Sequence, residues 1–424
     1  MKIKIKIKTK IKIYEKWIYI IGLKINFIYY KMVSHHLDNI DFNNFNINNF
    51  CKENPKLSVK NHKIDLNKNV YLMKYIKQEL NNNKNYFKFR SLVISDKNII
   101  SFSPPKSIDY KIFVENNNTS DCYAEDFIDG TMINLFYLND NWEIATKSSI
   151  GGNVNFFMDD YNSSKEKNSF KNMFFECCKN ANLNIENLEK SFSYSFVIQH
   201  PENRIVTPII STQLFCIKIY SFSGNIVNEV PFDYFYNNFD CFQNSNVYLP
   251  MRYPIQSYDE LINYYGSENT PYYCVGIMIY NKNGDRTKIR NPNYEIIRKL
   301  RGNQPKLQYQ YFCLRKENKI REFLNYYPEH KDSFYSYKLK MHTFTNNLYA
   351  NYKECFIFKL KSLKEYDFQY KIHMYNLHKV FLENLRPAKS NISKKTVIDY
   401  VNNLHPAQQM FSINYNLRHD KKES

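Results

Sequence analysis

Between residues 87 and 300 the apolar positions fall in short runs separated by turn residues, which is a strand pattern. Residues 91–94 and 99–102 flank Asp96-Lys97-Asn98 as a hairpin. Residues 131–137 place Ile133, Leu135 and Tyr137 on one face, and Asn139-Asp140-Asn141 then turns the chain into a second strand over 142–146. Further strands are expected at 194–199, 214–220 and 273–280, with a helix over 171–181. Upstream, residues 35–85 are polar and rich in Asn, and predict a loosely ordered lead-in with one helix near 70–80. After Gly302 the period changes. Met374, Leu377, Phe381 and Leu385 recur at helical spacing and stop before Pro387. A second helix runs from an N-cap at Ser393 through Val397, Val401 and Leu404 to Pro406. The pattern predicts an α+β protein with an extension over 1–34, a lead-in over 35–86, an antiparallel-sheet domain over 87–302 and a mainly helical, basic domain over 303–424. No internal repeat recurs at a fixed period, which argues against a solenoid.

At 424 residues, 43% hydrophobic and 17% aromatic, the chain is long enough for two domains with a real core and too apolar to be largely disordered. The formal charge of +18 is uneven: residues 1–34 carry +8 and 285–424 carry +14, leaving −4 for 35–284. Such a field calls for an anionic partner, with nucleic acid the leading class and a membrane surface fitting the same charge. Nine cysteines without a Cys-x-x-Cys, two of them the adjacent Cys177 and Cys178, exclude a disulfide scaffold and a zinc ribbon. They point to reduced, mostly buried thiols in a cytoplasmic compartment. Lys and Ile alternate through 2–13, and the apolar stretch 17–30 is interrupted by Lys24. That stretch is too short and too charged for stable membrane insertion. The folded protein is expected to start near Met32, with an accessory extension before it and a membrane anchor as the less favoured reading.

Five stretches then follow in order. The first is Phe89-Arg90-Ser91-Leu92-Val93-Ile94 with Ser101-Phe102-Ser103-Pro104-Pro105-Lys106. The second is Phe127-Ile128-Asp129-Gly130-Thr131, with a hairpin ending Thr146-Lys147-Ser148-Ser149-Ile150. The third is Phe196-Val197-Ile198-Gln199-His200-Pro201-Glu202-Asn203-Arg204-Ile205-Val206. The fourth is Val275-Gly276-Ile277-Met278-Ile279, and the fifth Thr287-Lys288-Ile289-Arg290. Together they resemble the phage-type RNA ligase family of covalent nucleotidyltransferases, over residues 87–300. The resemblance implies an antiparallel-sheet nucleotidyltransferase domain in which a lysine amine attacks the ATP α-phosphate. In that family carboxylates position a divalent ion and the ribose, a basic pair neutralises the phosphate, and AMP passes to a 5′-phosphate end.

This chain departs from the family at three positions. The lysine of the Lys-x-Asp-Gly pattern is replaced by Phe127, and two expected glutamates align with Val197 and Val275. All three exchanges put apolar surface where a triphosphate and metal would sit, so lysine-dependent adenylylation at that slot is not expected. ATP and Mg²⁺ are implied only on the ligase reading, and no protein metal site is expected. The polar residues that remain give a candidate pocket of Arg90, Lys106, Asp129, Gly130, Lys147, Asn203, Arg204, Lys288 and Arg290. Asp129-Gly130 and Asn203-Arg204 keep two readings open: contacts to a phosphate or nucleic-acid backbone, or a tight turn and a fold-stabilising donor.

Arg286, Lys288 and Arg290 lead into a basic segment of Arg298, Lys299, Arg301, Lys306, Arg315 and Lys316, interleaved with Tyr294, Tyr309 and Tyr311. Cations beside rings that stack on bases suit single-stranded nucleic acid, and a solvated face with core tyrosines is the competing reading. His35-His36 lacks further ligands for a metal, and neither a P-loop nor a Gly-x-Ser-x-Gly elbow occurs. The expectation is an RNA-ligase-like protein that binds RNA or other nucleic acid as a pseudoenzyme. The alternatives are an active ligase or end-modifying enzyme using Lys106 or Lys147, and a scaffold whose basic domain binds an acidic protein.

Overall fold

The computed structural model describes residues 33–38, 40, 45–65, 68–80, 84–95, 97–154, 169–232, 234 and 240–416. The expectations for residues 1–32 lie outside the described residues, as does Asp96 of the first hairpin.

Three antiparallel sheets carry the N-terminal two thirds. The largest has six strands: β1 (Ser34–His36), β7 (Thr131–Leu138), β8 (Asn141–Ala145), β9 (Ser193–Gln199), β10 (Gln213–Ser223) and β11 (Ile226–Glu229), in the order β1-β11-β10-β9-β7-β8. Its period-two alternation sends Ile133, Leu135, Tyr194, Phe196 and Ile198 to one face. There they pack on helix α1 (Phe170–Asn180) through Met173, Phe174 and Cys177. The β7–β8 hairpin turns at Asn139 and Asp140, both with positive φ of 49° and 60°, the geometry of a tight hairpin turn that Asn and Asp tolerate. The opposite face of the sheet, with Met132, Val197 and Ile217, looks toward the interior of the domain.

The second sheet runs β12 (Arg252–Pro254), β6 (Cys122–Asp126), β13 (Gly276–Asn281), β14 (Arg286–Arg290). Ala124, Ile277, Ile279 and Ile289 cover one face and bury it against helix α2 (Tyr258–Tyr265). The other parity, Glu125, Met278, Tyr280 and Lys288, faces the interior of the six-stranded sheet. The third sheet, β2 (Leu57–Asp65), β3 (Lys68–Tyr75), β4 (Leu92–Ser95) and β5 (Asn98–Ser101), closes one end.

That third sheet corrects the expected helix near 70–80. Val70 and Leu72 are buried on one face of β3 and Met73 on the other, so the apolar run reflects a strand covered on both sides. The sheet also brings Leu57, Val70, Leu72, Met73 and Tyr75 into the core, where the sequence suggested a loosely ordered lead-in.

The C-terminal third is helical, as expected. Helix α3 (Pro292–Arg301) starts at the Asn291 N-cap with Pro292 in its first turn and ends at Gly302, whose φ of 71° few side chains adopt. Helices α4 (Leu307–Lys316), α5 (Ile320–Tyr326), α6 (Lys331–Tyr352), α7 (Phe368–Val380), α8 (Lys394–Asn403) and α9 (Pro406–Ile413) follow. Phe334, Tyr337, Met341, Phe344 and Leu348 form the buried stripe of α6, and Met374, Leu377, Val397 and Val401 complete the same core. Ser393 Oγ accepts from Thr396 N at 3.1 Å, the cap that the sequence announced.

Candidate anion-binding site

A cavity of about 280 Å³ lies between the inner faces of the first two sheets and is also lined by Tyr75 of the third. Its lining brings together Arg90, Lys106, Phe127, Asp129, Gly130, Lys147, Val197, Val275, Lys288 and Arg290 from positions spread over two hundred residues. Asn203 and Arg204 do not line it. Phe127, Val197 and Val275, the three departures from the ligase pattern, converge in this one space.

The carboxylates of the lining are committed to protein partners. Asp129 Oδ1 accepts from Tyr294 Oη at 2.7 Å, and its Oδ2 accepts from Val206 N at 3.3 Å and Thr207 N at 3.0 Å. Glu125 is buried and pairs with Arg252 at 3.1 Å. Asp126 accepts from Met251 N and Tyr253 Oη, yet burial still holds its pKa above the usual carboxylate range. These contacts leave the donor set suited to a phosphate and unsuited to a divalent ion held by carboxylates. Among the described residues no cluster of three or more His, Cys, Asp or Glu could hold a metal ion.

The cations divide into two sets. Arg286 is buried and bonded to the carbonyl oxygens of Pro104 and Pro105 and to Tyr280 Oη, so it braces the wall. Arg290 pairs with Glu295 at 2.6 Å and lies 4.6 Å over the Phe127 ring. Arg90, Lys106, Lys147 and Lys288 have no carboxylate partner among the described residues. Lys106 rests over Phe87 at 4.0 Å and Lys147 over Tyr75 at 4.7 Å, contacts that orient an ammonium without neutralising it. Burial, with the neighbouring charges of Arg290, Arg286, Arg90 and Lys106, lowers Lys288 to about 7. Burial and Arg286 lower Arg90 to about 10, which leaves it charged at neutral pH.

The two readings left open for the kept motif residues are answered by their contacts. Gly130 has φ of 146°, and a Cβ there would run into the Ile198 carbonyl, so the glycine serves the close approach of β7 to β9. Asn203 is buried and donates to Thr131 Oγ1 at 2.8 Å. Arg204 donates to the Val206 carbonyl oxygen and to both oxygens of Glu329, and stacks 4.8 Å over Tyr327. It clasps the sheet region to the helical region with the contacts of a fold-stabilising donor, and does not line the cavity.

The basic segment is corrected in the same way at two positions. Tyr311 is buried and packs edge-on against Phe334, so no base can stack on it. Arg301 is buried and donates to the Arg204 carbonyl oxygen, which spends it in the fold. Arg298 joins the cavity lining, while Lys299 and Lys316 are exposed and Tyr309, Lys306 and Arg315 half-buried, outside the cavity. Sequence reasoning did not single out Glu125, Asp126, Tyr75 or Tyr280 as lining residues. The alternation of β6 and β13 carries the only signal for Glu125 and Tyr280, and it becomes informative once the two strands are known to pair.

Phe127 is half-buried and packs against the helical core beside Val206, Val275 and Tyr294. It therefore belongs to two structures at once, the floor of the cavity and the seam to the helices.

No family model matches this chain, and no curated protein matches it. Among solved structures, a putative ATP-dependent DNA ligase from Aquifex aeolicus is similar at 12% identity and a TM-score of 0.36, over 80% of each chain. An archaeal ATP-dependent RNA ligase is similar at 11% identity and a TM-score of 0.36, over 69% of this chain and 71% of that one. Overlap this low does not define a shared fold, so the functional reading rests on the residues of the cavity.

Proposed function

We propose that this chain is a nucleic-acid-binding protein on an RNA-ligase-like nucleotidyltransferase domain, that its cavity holds a phosphate group of RNA or another nucleic acid, and that it lacks adenylylation at the Phe127 position. The observation that carries this reading is the imbalance of the cavity. Its carboxylates are occupied by protein donors, while Arg90, Lys106, Lys147 and Lys288 form no ion pair with a carboxylate among the described residues. An aromatic ring under Arg290 supplies no nucleophile, and the neighbouring valines supply no metal ligand. Nine free cysteines accord with a reducing, cytoplasmic setting for such a protein. Among the described residues no helix is long and apolar enough to cross a membrane.

The mass of the intact protein after incubation with ATP and Mg²⁺ tests the pseudoenzyme part, and no nucleotide adduct is expected. A second reading is favoured by one observation: an amine lowered to about 7 is in part unprotonated at neutral pH, so Lys288 is a better substitute nucleophile than Lys106 or Lys147. An AMP adduct that Lys288→Arg abolishes would replace the pseudoenzyme reading with that one.

A further inference from the structure

We propose that the cavity continues outward as a cationic track over Lys147, Lys74 and Lys60, and that this track carries the backbone of a single nucleic-acid strand whose end enters the cavity. The inference rests on the reading of the cavity as a phosphate site.

Lys147 stands exposed at the cavity, over the Tyr75 ring that also lines it. The next residue, Ser148, gathers the other two lysines: Lys60 Nζ donates to its carbonyl oxygen at 2.9 Å and Lys74 Nζ to its Oγ at 3.0 Å. Register explains the convergence. Lys60 pairs with Leu72 across β2 and β3, so Lys60 and Lys74 project on one face at the edge where the turn after β8 passes. The charges are close enough to act on one another. Burial and then Lys60 lower Lys74, while burial, Arg90, Lys74 and the exposed Lys77 lower Lys147.

None of these lysines has a carboxylate partner among the described residues. A few surface lysines elsewhere do find one, as in Lys84 with Asp285 at 3.3 Å, Lys282 with Asp121 at 3.2 Å and Lys319 with Glu317 at 2.8 Å. Neighbouring like charges without counter-ions repel, and a ligand with repeated negative charges relieves that repulsion along its length. A single phosphate inside the cavity meets Lys288 and Arg90 but leaves Lys74 and Lys60 uncompensated. A strand leaving the cavity at Lys147 compensates them in sequence. Lys60 and Lys74 belong to β2 and β3 and not to the basic segment 298–316 to which the sequence pointed.

The test measures equilibrium binding of a nucleoside 5′-monophosphate and of a 5′-phosphorylated single strand of about ten nucleotides. The strand is made as RNA and as DNA, and the full chain is compared with Lys60→Gln/Lys74→Gln. The mononucleotide affinity is expected to stay unchanged. Strand affinity is expected to fall about tenfold, with the slope of log K against log salt shallower by about 1.4. Lys60→Gln alone, at an exposed site, should give about half that slope change. Loss with both RNA and DNA supports the track as a reader of the phosphodiester backbone, and loss with RNA alone supports it with the ribose hydroxyls added. Unchanged strand affinity and slope, while both ligands bind the wild type, overturns the track and leaves the cavity reading intact. Polyglutamate binding as tightly as the strand, with the same loss in the variant, overturns the nucleic-acid partner in favour of an acidic protein. If neither nucleotide ligand binds the wild type, the cavity reading falls and takes the track with it.

Discussion

Asp129 and Lys288 line one cavity, and their surroundings are opposite in kind. Asp129 is buried with three protein donors on its two oxygens. Lys288 is half-buried among four like charges that lower its pKa, with no carboxylate beside it. One polar motif residue has been absorbed into the seam between sheet and helices, and the other is held in a costly state that a ligand would relieve. On the proposed reading, one kept motif residue serves folding and another serves binding in the same cavity.

Asp129→Ala should break the comparison most severely. It strands Val206 N, Thr207 N and Tyr294 Oη in a buried place, and unfolding in urea should show a loss of about 3–5 kcal/mol. If binding is lost while stability is unchanged, the assignment of Asp129 to the fold is wrong. Charge reversal at the cationic pair, Lys288→Glu with Arg290→Glu, should weaken RNA binding about a hundredfold and flatten its salt dependence, read by titration at several salt concentrations. Unchanged affinity and slope would remove both residues from the site.

Lys288→Met sharpens the contrast with a smaller effect of opposite sign on stability. The folded pKa of about 7 lies below the ordinary lysine value of 10.5, so the unfolded chain binds more protons at pH values between the two. Stability should therefore rise with pH across that window, and the cost of charged Lys288 is fully present below about 7. Lys288→Met should raise unligated stability by about 1–2 kcal/mol at neutral pH and remove that part of the pH dependence. Phosphate binding by the wild type should weaken as pH rises through about 7, whereas Lys288→Arg should bind with little change.

The strands and helices with clean periodicity were legible in the sequence. The Asn139-Asp140 turn, the 170–180 helix and the Ser393 cap all rest on local chemistry that one segment contains. Strand β3 was not legible, because Val70-Tyr71-Leu72-Met73 is apolar at either period and only pairing with β4 decides it. At the site, motif order brought Arg90, Lys106, Lys147 and Lys288 to one cavity, yet it could not separate free cations from spent ones. Arg204 looks equivalent to Arg290 in sequence, and its role is set by Glu329 on a distant helical turn. Lys60 and Lys74 lie outside every motif, and the Ser148 carbonyl and hydroxyl that bring them together belong to a turn of another sheet.

The most direct measurement is the affinity of the full chain for one RNA strand carrying either a 5′-phosphate or a 5′-hydroxyl, at fixed salt, in wild type and in Lys288→Glu. Tighter binding of the phosphorylated strand, with the difference erased by Lys288→Glu, is the result this cavity predicts. Equal affinity for the two ends in the wild type would contradict it.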